Sequence, residues 1–122
     1  MQDKGIVQQK SFQFAIRIVR LTQYLQQEKN EYILSRQLLR SGTSIGANIN
    51  EAEYSISSKE FNMKMYIAYK ECGETAYWLR LLYETQYLSQ QQYDSIRPDC
   101  IEIQKILTAI TKTMRRKGDG EI

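Results

Sequence analysis

Three carboxylates are the first candidates for chemistry in this chain. Glu71 and Glu74 stand three residues apart, so a helix places them on one face. Glu51 lies on the preceding apolar-periodic stretch. Three such oxygen donors are enough to hold a hard cation. The same groups also suit arginine partners, or hydroxyl and amide groups that would otherwise be buried without a bond. The second reading is taken here: Ser41, Asn48, Glu51, Glu71 and Glu74 are expected to form a buried polar network, with no metal and no cofactor. Such a network favours one register more than it favours stability. Catalysis needs more than carboxylates. The chain has no His. That removes Ser-His and Cys-His nucleophile pairs, most zinc sites and the Glu-x-x-His sites of di-iron bundles. Gly42 and Gly46 have helical spacing without a phosphate-loop motif. No catalytic residue is expected, and the chain is read as a non-enzyme.

The cations point to a second kind of chemistry. Arg17 and Arg20 fall on one stretch, Arg36 and Arg40 on the next, and Lys112, Arg115, Arg116 and Lys117 near the end. Phosphate binding needs cations at repeated spacing, and an oligomer multiplies each patch. Tyr24 and Tyr54 lie near the first two sets and suit stacking on unpaired bases. These eight cations are the expected nucleic-acid contacts. The ordinary alternatives are solvated helix faces, cations that complement a helix C-terminus, and tyrosines that mark subunit contacts.

Helices must position these groups. From Leu34 to Tyr54 the seam Leu34, Leu38, Ser41, Ile45, Asn48 and Ala52 is spaced 4, 3, 4, 3, 4, as in a bundle helix. Ser41 and Asn48 put polar groups on that seam and need partners. Gly42 and Gly46 read as close-packing sites, since helix propensity alone disfavours them. The first helix is expected over about residues 11–28, with seam Phe14, Ile18, Leu21 and Leu25. The third, about 58–86, opens with a Ser57–Glu60 capping box. It continues through Phe61, Met65, Ala68, Cys72, Thr75, Leu79 and Leu82. The fourth, about 90–116, opens on Ser89 and Gln92 and carries Ile96, Cys100, Ile103, Leu107, Ile110 and Met114. Pro98 either kinks that helix or stands in the first turn of its main part. Short links between four such helices, about 31–54 being the second, give an all-α, antiparallel up-down four-helix bundle. Residues 1–10 are read as a polar lead-in and 117–122 as a frayed tail.

The third helix has apolar residues on two sides. Met63, Ile67, Trp78 and Leu81 lie opposite its seam, and Phe12 and Ile16 flank that of the first helix. A helix apolar on two sides needs two partners. A second subunit is preferred over an exposed patch, so these six residues are the expected oligomer interface.

With 122 residues, the chain is one domain that can bury a core without disulfides. Cys72 and Cys100 are read as buried thiols of a reducing cytosol; a disulfide would need the two helices to place them face to face. The opening residues lack the apolar segment of a secretory signal, and no uncharged apolar run is long enough for a membrane span. A cytoplasmic protein is expected. Net charge is +3 and unevenly placed. Seven basic residues face three acidic ones before Glu51, six face nine over 51–111, and four face two from Lys112 onward.

The phrases EYILSRQLLRSGTSIGANINEAE, SSKEFNMKMYIAYKECGETAYWLRLL and SFQFAIRIVRL resemble the four-helix-bundle proteins encoded in intervening sequences of bacterial 23S rRNA genes. The resemblance covers about residues 11–115. It implies a ring-like homopentamer, a cytoplasmic bacterial protein and an association with ribosomal RNA. A related branch, the accessory protein of diversity-generating retroelements, implies binding of both nucleic acid and a reverse transcriptase. Many members carry Gly after the Asn-Ile-x-Glu phrase. This chain has Ala52 there, which leaves room for the second helix to run on. No catalytic residue carries over. The reading is therefore a non-catalytic homo-oligomer that binds RNA or another nucleic acid through basic helix faces. The alternative is a structural adaptor that docks a protein partner such as a reverse transcriptase, without nucleic-acid binding of its own.

Overall fold

In the structure, a computed structural model, residues 2–120 are described, with side chains described for 5–115. Four helices follow one another: α1 (Gln2–Lys29), α2 (Leu34–Ala52), α3 (Ser58–Glu84) and α4 (Gln90–Gly120). Neighbours in sequence pack side by side, and α1 closes the ring against α4, while the diagonal pairs do not meet. This is the expected all-α up-down bundle.

Each boundary has a local cause. α1 begins well before residue 11, so the expected lead-in is helical. Its seam extends backward from Phe14 through Ser11 to Val7, and Val7 is fully buried. Asn30 ends α1 in the left-handed region (φ 55), and the Glu31 amide turns back to the Leu25 carbonyl (2.9 Å). α2 starts at Leu34, three residues after the expected start, because Glu31 stays outside the helix and caps it. The Glu31 carboxylate accepts from the amides of Ile33 (3.2 Å), Leu34 (3.0 Å) and Ser35 (2.7 Å). α2 ends at Ala52, so it does not run on past the missing glycine.

Ser57 Oγ accepts from the Glu60 amide (3.1 Å) at the start of α3. At the other end, Gln86 takes the left-handed region (φ 70) and the Tyr87 amide reaches the Leu82 carbonyl (2.9 Å). α4 opens with a reciprocal box: the Ser89 amide donates to Gln92 Oε1 (2.8 Å) and the Gln92 amide to Ser89 Oγ (3.1 Å). Pro98 lies inside α4, which runs continuously across it.

The core follows the seams with three one-residue shifts: Thr22, Ile49 and Thr111 are buried beside half-buried Leu21, Asn48 and Ile110. Ile49, not Asn48, is fully buried on α2, and Asn48 sits half-buried on the α3 side. The two α2 glycines set the α1–α2 distance. A Cβ at Gly42 would lie 2.8 Å from Ile18 Cγ2, and one at Gly46 would lie 3.3 Å from the Ser11 carbonyl oxygen.

Candidate functional site

The expected polar network is divided in two. Deep between α2 and α3, the Thr75 hydroxyl bridges Ser41 Oγ (2.9 Å) and the Glu71 carbonyl (2.8 Å). Ser41 and Thr75 are both fully buried, so each satisfies the other where water cannot. Nearer the surface a chain of polar groups crosses the same helix pair. Asn48 Nδ2 donates to the Ser44 carbonyl (2.8 Å) and Oγ (3.0 Å), and Ser44 Oγ donates to Glu71 (3.3 Å). Arg40 reaches Glu71 (3.3 Å) and also pairs with Glu74, which accepts from Trp78 Nε1 (2.9 Å). Glu51 stands apart from this chain and pairs with Lys64 (2.7 Å). That hydrogen bond and the Glu51 charge hold the Lys64 ammonium above its ordinary pKa.

Chemically this arrangement is a fastener. Glu71 and Glu74 face a guanidinium, an indole and a hydroxyl, so their oxygens are already directed at donors in the chain. Among the described residues no group of three or more His, Cys, Asp or Glu is placed to hold a metal.

The two arginine pairs are split in the same way. Arg17 crosses from α1 to α4, donating to the Ser95 carbonyl (2.9 Å), Ser95 Oγ (2.7 Å) and Asp99 (2.7 Å). These contacts lie beside Pro98, whose ring supplies no amide to the helix ladder. Lys10 repeats the α1–α4 link with Glu102 (3.2 Å). Arg40, as described, ties α2 to α3. Arg20 and Arg36 are exposed and have no partner among the described residues. Lys112 and Arg115 are exposed near the end of α4, whereas the side chains of Arg116 and Lys117 lie outside the described residues. Tyr24 packs against the core, and Tyr54 is exposed.

Of the expected interface residues, Phe12 (65%) and Met63 (54%) are strongly exposed. Ile16, Ile67, Trp78 and Leu81 are half-buried. Phe12 edges an open trough of about 730 Å³ floored by small residues of α1 and α2, among them Ala15, Gly46 and Ala47. Cys72 and Cys100 do face each other across α3 and α4, as free thiols with sulfurs 3.9 Å apart. The hydrogen bond with Cys100, and then burial, pushes the Cys72 thiol up.

Sequence reasoning missed Glu31, Ser44, Asp99 and Thr75 as partners. Thr75 had a signal, since it occupies a seam position that an apolar residue would ordinarily fill.

Fold and polar seams together define a class: a four-helix bundle whose helices are fastened edge to edge by buried hydroxyls and ion pairs. The chain belongs to the 23S rRNA-intervening sequence protein family, whose profile matches residues 3–109. It is similar to a crystal structure of a protein of unknown function from the S23 ribosomal protein family of Bacteroides thetaiotaomicron VPI-5482. That similarity has a TM-score of 0.87 at 50% sequence identity, covering 90% of this chain and 98% of the other. No curated protein matches the chain. Among the described residues no helix is long and apolar enough to cross a membrane.

Proposed function

We propose that the chain is a non-catalytic, homo-oligomeric bundle that binds RNA, acts in association with ribosomal RNA and works in the cytoplasm. The observation that carries this reading is the unequal use of charge. Glu31, Glu51, Glu71, Glu74, Asp99 and Glu102 are engaged within the chain as caps or ion-pair partners. Many exposed cations have no such partner among the described residues, Arg20, Arg36, Lys112 and Arg115 included. The outward face of the molecule is thus more positive than its net charge of +3 suggests, and a polyanion gains from that. The family's name adds ribosomal RNA as the natural candidate. Exposed Phe12 supports self-association; a ring of five subunits is what the family resemblance implies.

The test is binding of the purified protein to a labelled ribosomal RNA fragment over a salt series, with a DNA duplex of equal charge as comparator. RNA binding that persists near about 0.15 M salt and exceeds DNA binding is expected. Binding that disappears at that ionic strength, or that ignores the kind of nucleic acid, overturns the reading in favour of an adaptor that docks a protein.

A further inference from the structure

The basic surface that the structure assembles is not the one on α1 and α2. Along α3, Lys59, Tyr66, Lys70, Gly73, Tyr77 and Arg80 recur at steps of 7, 4, 3, 4 and 3, which is a single stripe on a helix. Its length from Lys59 to Arg80 is about 30 Å at the helical rise. Along α4, Arg97, Lys105, Lys112 and Arg115 make a second stripe at steps of 8, 7 and 3. All seven cations are exposed.

Contacts show that the two stripes share one face. Lys59 and Tyr66 line the same open groove, about 1290 Å³, as Lys105 and Arg115. Further along, Tyr83 of α3 stacks on Tyr93 of α4 with centroids 4.5 Å apart, and Arg97 lies over the Tyr93 ring.

Four carboxylates of these helices turn the other way. Glu71 and Glu74 of α3 point to Arg40 on α2, and Glu60 acts on Lys64. Asp99 and Glu102 of α4 point to Arg17 and Lys10 on α1. No carboxylate lines the groove among the described residues. Glu84 and Asp94, at the far end, bound the positive track.

The aromatics decide what kind of polyanion fits. Tyr66 is 44% and Tyr77 60% exposed, and Lys70 lies over the Tyr66 ring (6.0 Å). Between them, a Cβ at Gly73 would meet nothing within 4 Å. Nothing inside the chain requires a glycine there, while a ligand backbone gains a close approach. Exposed rings between cations can stack on bases only where the bases are unpaired.

We propose that the α3–α4 face is a track for single-stranded RNA. Its lysines and arginines neutralise successive phosphates, while Tyr66 and Tyr77 stack on bases. The proposal rests on the RNA-binding reading above and deepens it by giving the site and the strand state.

The experiment measures binding of a labelled oligouridine and of a duplex RNA of equal length to the full chain and its variants, each checked for helicity and subunit number. Lys70→Glu with Arg80→Glu is expected to weaken oligouridine binding about tenfold or more and to flatten the salt dependence. Arg20→Glu with Arg36→Glu is expected to weaken it no more than about threefold. Tyr66→Ala with Tyr77→Ala is expected to lower affinity for the single strand without changing the salt slope. The proposal is overturned if the α3 charge reversal binds like wild type, or if duplex is preferred to single strand. Wild-type protein that binds neither strand overturns the RNA-binding reading itself.

Discussion

Glu31 does more for α2 than any residue within that helix's first turn. One buried carboxylate answers three amides that would otherwise have no partner at the helix start. Its position three residues before Leu34, in the link formed by residues 30–33, hides this role from spacing arguments. Glu31→Ala is expected to cost about 1–2 kcal/mol, read as a lower urea midpoint at unchanged slope. Cys72 and Cys100 are the other pair settled by contact. Both sulfurs are buried, and each thiol also approaches the other residue's carbonyl, 3.6 Å from Cys72 Sγ and 3.8 Å from Cys100 Sγ. Both thiols are buried out of reach of a reagent, and Cys72, held protonated, is also a poor nucleophile. In the folded protein both cysteines are expected to resist an aromatic disulfide reagent, and in denaturant both should react. Rapid labelling of the native chain would show that α3 and α4 open readily at that level.

At the scale of elements, the glycines separate two uses of the same residue. Gly42 sits where α1 presses on α2, and Ile18 leaves no room for a methyl group. Gly42→Ala gains helix propensity of about 1 kcal/mol but overpacks a fully buried contact at a cost of about 1–3 kcal/mol. Net destabilisation is expected. Gly73 has open space instead, so Gly73→Ala is expected to stabilise the bundle by up to about 1 kcal/mol. Urea denaturation of both variants tests the pair, and equal signs would contradict the geometry. The small residues of α2 were legible as close-packing sites. Which neighbour they met was not, because spacing gives a face and not the helix it faces.

For the whole molecule, the two strongly exposed residues of the expected interface differ in setting. Phe12 stands on α1 beside the small-residue trough, whereas Met63 lines the α3–α4 groove, so self-association rests on Phe12. Phe12→Glu is expected to leave a folded chain of lower subunit number by light scattering, since the residue contributes little to the core. A wild-type chain that is already monomeric would remove self-association from the proposed function. Trp78 is a poorer probe of assembly. It packs against the core and bonds Glu74, so its loss would also loosen α3 from α2.

Periodicity determined the bundle. The 4, 3 spacing of Met65, Ala68, Cys72, Thr75, Leu79 and Leu82 is a property of one helix, and all six are buried as that spacing requires. The Ser57 and Ser89 caps are equally local and stand where the residues place them. What lies between helices was decided only in three dimensions. Arg17 and Arg40 look like Arg20 and Arg36 in the chain, yet the first two meet carboxylates across an interface and the second two do not. Asn48 gives its seam place to Ile49 for the same reason. An up-down bundle can be wound with either hand, and the hand decides which flank of each helix meets which neighbour. Charges a few ångströms apart in the fold are tens of residues apart in sequence, so only the packed structure assigns their partners.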